Sequence, residues 1–270
     1  MESGLRGKTA LVTGGSSGIG KGIALALAEE GVSLAIASRA PDEHALEEIR
    51  ARGVRCVKIE ADVSREADTV RMVHEAVDTL GGLDLYVNNA AWAWHQPITR
   101  LDSSAWYATI DTNLSACAWA CREVCRHMVA RGRGSILVVG STSRLMVSYR
   151  ETAYRVSKTG LRVIVENLTA EMAPYGIRVN MVTPGHFRTR LTASVPAETE
   201  EKLLRMIPAH RFGQPENVGR AAVFLLSDSL SPYTYGADLV IDGGFALRPL
   251  PLLNEEEAVQ LNRGEDNDTH

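Results

Sequence analysis

The stretch that limits the fold most begins at residue 9. Thr9-Ala10-Leu11-Val12 is a short apolar run with glycine close on either side, the pattern of a buried parallel strand. Thr13-Gly14-Gly15-Ser16-Ser17-Gly18-Ile19-Gly20 follows, and residues 21–30 then read as a helix. Strand, glycine-rich turn and helix start together form a phosphate site. Glycines let the backbone approach a pyrophosphate, and the first turn of the helix offers free N–H groups at its positive dipole end. The plainer alternative is a flexible turn, but the strand and the helix both stand where a dinucleotide motif needs them.

The second strand, 33–38, closes on Ser38-Arg39. A carboxylate there would accept hydrogen bonds from the ribose hydroxyls of NAD. A hydroxyl and an arginine suit a 2′-phosphate instead, so the expected cofactor is NADP(H), with NAD(H) as the alternative and Arg39 then only a solvated charge. Strand and helix go on alternating. Residues 54–60 read as a strand leading to Asp62-Val63, beside which an adenine would lie, and 64–80 as an amphipathic helix. Residues 84–87 form a strand running into Asn88-Asn89-Ala90-Ala91, and 104–131 form a long helix stopped by Gly132. A strand at 134–140 delivers Ser141, a helix spans 152–175, and a strand at 177–182 closes on Pro184-Gly185. The last strand, 238–241, precedes Asp242-Gly243-Gly244. The pattern predicts one α/β domain over 1–246. Its Rossmann-type, doubly wound, seven-stranded parallel sheet has helices on both faces and binds ligand at the carboxyl ends of the strands.

At 270 residues the chain fits one large α/β domain. A formal net charge of -4 gives no reason to expect a nucleic acid partner. No apolar run nears the roughly 20 residues that span a bilayer, and the start of the chain carries no basic-then-apolar signal. Three of the four cysteines, Cys117, Cys121 and Cys125, recur along one helical face. No histidine completes a ligand set, so the expectation is reduced thiols, a cytoplasmic chain and no metal.

Tyr154 and Lys158 stand one helical turn apart and face one space. A phenol has an ordinary pKa of about 10 and is a poor acid-base group near neutrality. A fixed ammonium nearby favours the phenolate, which would let Tyr154 exchange a proton with a carbonyl or alcohol oxygen.

Together, residues 13–20, Asn88-Asn89-Ala90-Ala91, Asn113, Ser141, Tyr154-x-x-x-Lys158, Pro184-Gly185 and Val240-Ile241-Asp242-Gly243-Gly244 resemble the short-chain dehydrogenase/reductases of the common subtype of about 250 residues, such as 3-oxoacyl-ACP reductases and carbonyl reductases. Ser141 precedes Tyr154 by 13 residues, as in that family. The resemblance covers residues 5–246. It implies an oxidoreductase interconverting a ketone or aldehyde and an alcohol by hydride transfer. Tyr154 would be the general acid/base, and Lys158 would lower its pKa and bind the nicotinamide ribose. Ser141 would hold the substrate oxygen, and Asn113 would complete a proton relay through water to Lys158. It further implies cofactor contacts at Gly14, Ser16, Ser17, Gly18, Ile19, Gly20, Ser38, Arg39, Asp62, Val63, Asn89, Ala90, Pro184, Gly185 and Thr189. Ala91 departs from the family's usual glycine. A sugar or polyol dehydrogenase using NAD, and a nucleotide-binding regulator without turnover, are the competing readings.

Substrate choice should sit in three loops. The first holds Trp92, Trp94 and His95, the second Ser143, Arg144 and Tyr149. The third, 186–214, opens on His186 and Phe187 and includes a helical lid at 198–207. Aromatic faces beside Arg144 and His186 point to a substrate with an apolar or sugar-like face and a polar or anionic group, unless the tryptophans only pack the loop. Tyr175 closes the 152–175 helix where acyl-carrier reductases often carry a base, which weakens that reading. The resemblance also implies that the two long helices, 104–131 and 152–175, pack on other copies as a homotetramer or homodimer. The tail, 247–270, is acidic, and is expected to be solvated or to lie at a subunit interface.

Overall fold

The computed structural model describes residues 2–147, 149–189 and 197–247. Strands β1 (Thr9–Thr13), β2 (Ser33–Ser38), β3 (Cys56–Glu60), β4 (Leu85–Asn88), β5 (Gly134–Val139), β6 (Ile177–Pro184) and β7 (Asp238–Ile241) form one parallel sheet. Its order is β3-β2-β1-β4-β5-β6-β7. The chain order reverses between β1 and β4, whose register pairs Ala10 with Leu85 and Val12 with Val87. A crevice opens above the strand ends at such a switch point.

The apolar runs are continuous because the central strands are covered on both faces. Alternate side chains feed two cores. Leu11, Ala35, Tyr86, Ile136 and Val179 meet helices α3 (Glu66–Leu80), α5 (Ala116–Arg131) and α6 (Thr152–Met172). Ala10, Val12, Leu34, Leu85 and Leu137 meet α1 (Gly18–Glu29), α2 (Glu43–Arg50) and the last helix, Pro215–Leu226. The cysteines of α5 belong to the first core and are buried free thiols. Burial raises Cys125 to about 12, far from the thiolate that reactivity needs.

The long helix expected over 104–131 is not uniform. It divides into α4 (Ser103–Ile110), a π-helical turn Asp111–Ser115, and α5. Asp102 caps the start, its carboxylate accepting from the Ser104 amide. The π turn falls at Asn113, a common place for such a widening when the residue has work to do. The 152–175 helix ends as a 3₁₀ turn, Ala173–Tyr175. The helix expected as a lid, α7, runs Ala197–Arg205, and Ile207 buries just beyond it.

Helices α2 and α8 (Pro215–Leu226) add to the elements expected from the sequence, and both carry start signals. Asp42 accepts from the His44 amide, and Pro215 opens α8 with a Gln214–Asn217 capping box. Helix α8 crosses α1 at bare backbone. A Cβ on Gly22 would lie 2.6 Å from Pro215, and one on Gly219 2.5 Å from the Gly22 carbonyl. The acidic tail lies outside the described residues beyond Leu247.

Candidate active site

The glycine turn is held open by its neighbour strand. Thr13 Oγ1 accepts from the amides of Asn89 at 2.9 Å and Ala90 at 3.0 Å. Asn89 Nδ2 donates to the carbonyls of Thr13 at 2.9 Å and Gly14 at 3.3 Å. Gly14 and Gly18 have φ of +65° and +51°, left-handed backbone that glycine adopts without strain. A Cβ at Gly20 would stand 2.3 Å from the Gly14 carbonyl oxygen and 2.4 Å from Asn89 Nδ2. Gly20→Val should therefore weaken dinucleotide binding by at least about tenfold, because the turn must open to take the side chain. Fluorescence titration with NADPH checks this, and retained affinity would contradict it.

A cleft of about 1030 Å³ runs along the strand ends from Ser38, Arg39, Asp62 and Val63, past Gly14, Ser17, Gly18, Ile19, Gly20, Asn89 and Ala90, to Ser141, Tyr154, Gly185 and Thr189. Ser16 lies beneath the turn and is buried. Pro184 ends β6, and Gly185 hydrogen-bonds the Ile241 carbonyl through its amide. The residues present fit a dinucleotide. The glycine cradle has no room for a side chain at Gly14 or Gly20, α1 begins at Gly18 with no side chain capping its amides, and Ser38 Oγ is buried with no hydrogen-bond partner among the described residues. Arg39 lies across the cleft mouth with its guanidinium 5.8 Å from the Trp92 ring.

At the other end, Ser141 follows β5 and its hydroxyl accepts from the Ser143 amide at 3.2 Å. Tyr154, on the first turn of α6, lines the same end of the cleft as Ser141. Lys158 is buried, donates to the Val139 carbonyl at 3.0 Å, and has its Nζ 5.8 Å from the Tyr154 ring centre. The electrostatics differ from the sequence expectation. Burial raises the Tyr154 phenol above its ordinary value, against the pull of the Ser141 hydrogen bond and with a further push from Glu151. Burial also lowers Lys158 to about 8, so desolvation outweighs the mutual benefit expected of the pair.

Asn113 is buried in the π turn and grips the first substrate loop. Its Oδ1 accepts from the Trp92 amide at 2.7 Å, and Nδ2 donates to the Trp92 carbonyl at 2.9 Å and to Ser157 Oγ at 3.0 Å. Its immediate partners are thus the Trp92 backbone and Ser157.

Of the expected substrate residues, Trp92, Trp94, His95, Ser143, His186 and Phe187 line the cleft. The two indoles stack at 6.3 Å with planes 13° apart. His186 sets its ring edge-on to Phe245 at 4.6 Å. Arg144 and Tyr149 do not belong with them. Arg144 turns to an ion pair with Asp238, where a half-buried carboxylate offers more than the open cleft, and Tyr149 is 97% exposed. Met146, also expected in the second substrate loop, lines the cleft as well, and cleft-lining residues that apolar spacing and motifs do not reveal include Asp102, Glu151 and Phe245. Glu151 had a signal, since it stands three positions before Tyr154 and so on the same side of the helix start. Among the described residues no cluster of three metal-ligating side chains occurs, and no helix is long and apolar enough to cross a membrane.

The fold and the cleft define a dinucleotide-dependent oxidoreductase of carbonyls and alcohols. Residues 14–246 match the family model described as enoyl-(acyl carrier protein) reductase. The chain is 34% identical over 240 residues to the 3-oxoacyl-(acyl-carrier-protein) reductase FabG of Staphylococcus aureus, covering 88% of this chain and 97% of that protein. It is 33% identical over 258 residues to glucose 1-dehydrogenase 2 of Bacillus subtilis, covering 93% of this chain and 100% of that one. A solved Agrobacterium tumefaciens structure with bound NADP, named for 2-deoxy-D-gluconate 3-dehydrogenase, superposes with a TM-score of 0.85 at 29% identity, covering 92% of this chain and 99% of its own. The chain belongs to the short-chain dehydrogenase/reductase family.

Proposed function

We propose that this protein is an NADP(H)-preferring ketone/alcohol oxidoreductase in which Tyr154 exchanges the proton. The observation that carries the cofactor preference is the end of β2. A buried, unpartnered Ser38 hydroxyl and the Arg39 guanidinium stand where NAD specificity would require a carboxylate. The NADP held by the Agrobacterium neighbour supports the same reading. When bound, the nicotinamide supplies or accepts the hydride.

The chain's own residues do the rest. Ser141 holds the substrate oxygen beside the phenol, so two donors meet the charge that develops on it. Tyr154 gives its proton to that oxygen in reduction and takes one from the alcohol in oxidation. A phenol held protonated by burial is prepared for the first role, and Lys158 in its cationic form stabilises the phenolate left behind. Asn113 fixes Trp92, so the loop bearing the two indoles keeps its place over the cleft. A cytoplasmic homotetramer belongs to the same reading. The free buried cysteines suit a reducing compartment, and Tyr107, Val156 and Val163 stay exposed on α4 and α6.

Titration with NADPH and NADH, followed by nicotinamide and tryptophan fluorescence, tests the preference. The Arg39→Asp protein should lose about 10- to 100-fold in NADPH affinity, the worth of a charge-assisted bond to a phosphate, and little in NADH affinity. Trp92 emission should change as Arg39 leaves its ring. Equal binding of both cofactors would overturn the preference. A 3-oxoacyl-acyl-carrier reductase is the second reading, favoured by the FabG likeness. Turnover of an acyl-carrier thioester far above that of the free thioester would establish it.

A further inference from the structure

Glu151 stands at the N-cap position of α6, one turn before Tyr154, and its side chain lines the substrate end of the cleft. Its Oε1 lies 3.8 Å from His95 Nδ1, beyond hydrogen-bond distance. Its Oε2 is buried with no hydrogen-bond partner among the described residues. A carboxylate oxygen withdrawn from water and given no donor is costly, unless a donor arrives with the ligand. The terminal torsion of a glutamate is soft, so a small turn presents either oxygen to the cleft.

The charges around it point the same way. The charged side chains lining the described cleft are Arg39 and Asp62 at the adenosine end, and Asp102 and Glu151 beside the first substrate loop. The Asp102 carboxylate already accepts from the Ser104 amide and hydroxyl, whereas Glu151 has no such donor. Arg144, the cation expected at this end of the cleft, is paired with Asp238. A substrate carboxylate would therefore meet like charge here, while a hydroxyl would meet an acceptor in want of a donor. Trp92 and Trp94 add a stacked, partly exposed aromatic surface on the same side, the kind that takes the C–H face of a hydroxylated chain or ring.

We propose that Glu151 is the specificity-determining residue of the cleft. Its carboxylate accepts hydrogen bonds from hydroxyl groups beside the reacting carbon, so the protein takes neutral polyhydroxylated alcohols and their carbonyl partners in preference to carboxylate-bearing ones. This rests on the reading that Ser141 and Tyr154 hold the reacting oxygen, since that fixes where the neighbouring hydroxyl falls.

The test compares kcat/KM for D-sorbitol, D-gluconate and cyclohexanol with NADP⁺. The wild-type protein should favour sorbitol over gluconate. Glu151→Ala should lower the sorbitol-to-cyclohexanol ratio by about tenfold or more, the worth of one hydrogen bond to a charged group. Glu151→Gln, which keeps the shape, should narrow the gap between sorbitol and gluconate. Unchanged ratios, or a wild-type preference for gluconate, would overturn the proposal. Calorimetric titration of sorbitol into Tyr154→Phe protein saturated with NADP⁺, with and without Glu151→Ala, judges Glu151 apart from catalysis. Affinity at least about tenfold weaker without Glu151 supports it whatever the turnover, and equal or absent binding in both sinks it. Failure of the reading that Tyr154 shares the reacting oxygen with Ser141 would show instead as undiminished turnover in Tyr154→Phe.

Discussion

Tyr154→Phe should lower kcat/KM by about 10³-fold, within the range a positioned acid-base group contributes, while NADPH affinity stays within about twofold. The substitution keeps the ring and removes only the phenol oxygen, so packing at the start of α6 is preserved. What is lost is the group proposed to share the substrate oxygen with Ser141. Because burial holds this phenol above its ordinary value, the wild-type protein should carry out reduction well at neutral pH. Oxidation needs the phenolate and should gain as pH rises. Steady-state rates in both directions across pH check the sign. A Tyr154→Phe protein within tenfold of wild type would remove Tyr154 from the chemistry.

Lys158→Met should make the chain more stable and all but inactive. The ammonium is buried and its pKa falls from 10.5 to about 8. Below pH 8 both folded and unfolded chains carry the charge, and the fold bears the whole cost of burying it, about 3 kcal/mol for a shift of that size. Between pH 8 and 10.5 the unfolded chain binds the extra proton, so stability climbs with pH. Above 10.5 the cost is gone. Methionine fills similar space without charge and forfeits the bond to the Val139 carbonyl, which returns about 1–2 kcal/mol of the gain. A rise of a few degrees in Tm at pH 7, and loss of the slope above pH 8, are expected in thermal melts without cofactor. A lower Tm at pH 7 would show that the ammonium is better solvated than its surroundings indicate.

The sheet was legible because its central strands are buried on both faces and written as unbroken apolar runs, each ending on the motif it presents: Gly14, Ser38, Asn88 and Ser141. Helices α2 and α8 were harder to see. Helix α2 is short, and α8 owes its place to contact with α1 through Gly22 and Gly219, which no periodicity records. The π turn at Asn113 was invisible for a related reason. Apolar spacing shows a face and does not show one extra residue taken into a turn. At the site, spacing brought Tyr154 beside Lys158 but gave the wrong sign for the phenol. Proximity is written in the sequence, whereas desolvation depends on everything packed around the pair. Arg144 misled because its partner, Asp238, is 94 residues away in sequence.

The chain reversal between β1 and β4 also has a kinetic meaning. The glycine turn is encoded by residue 20, yet Asn89, which braces it through Thr13 and Gly14, arrives 75 or 76 residues later. Closing a loop of that length comes late and slowly in folding compared with the local α1 contacts. The capacity to hold a dinucleotide should therefore appear only when β4 docks on β1. During refolding, NADPH would act as a reporter of that one event: helical signal recovers first, and nicotinamide fluorescence rises with the slower phase.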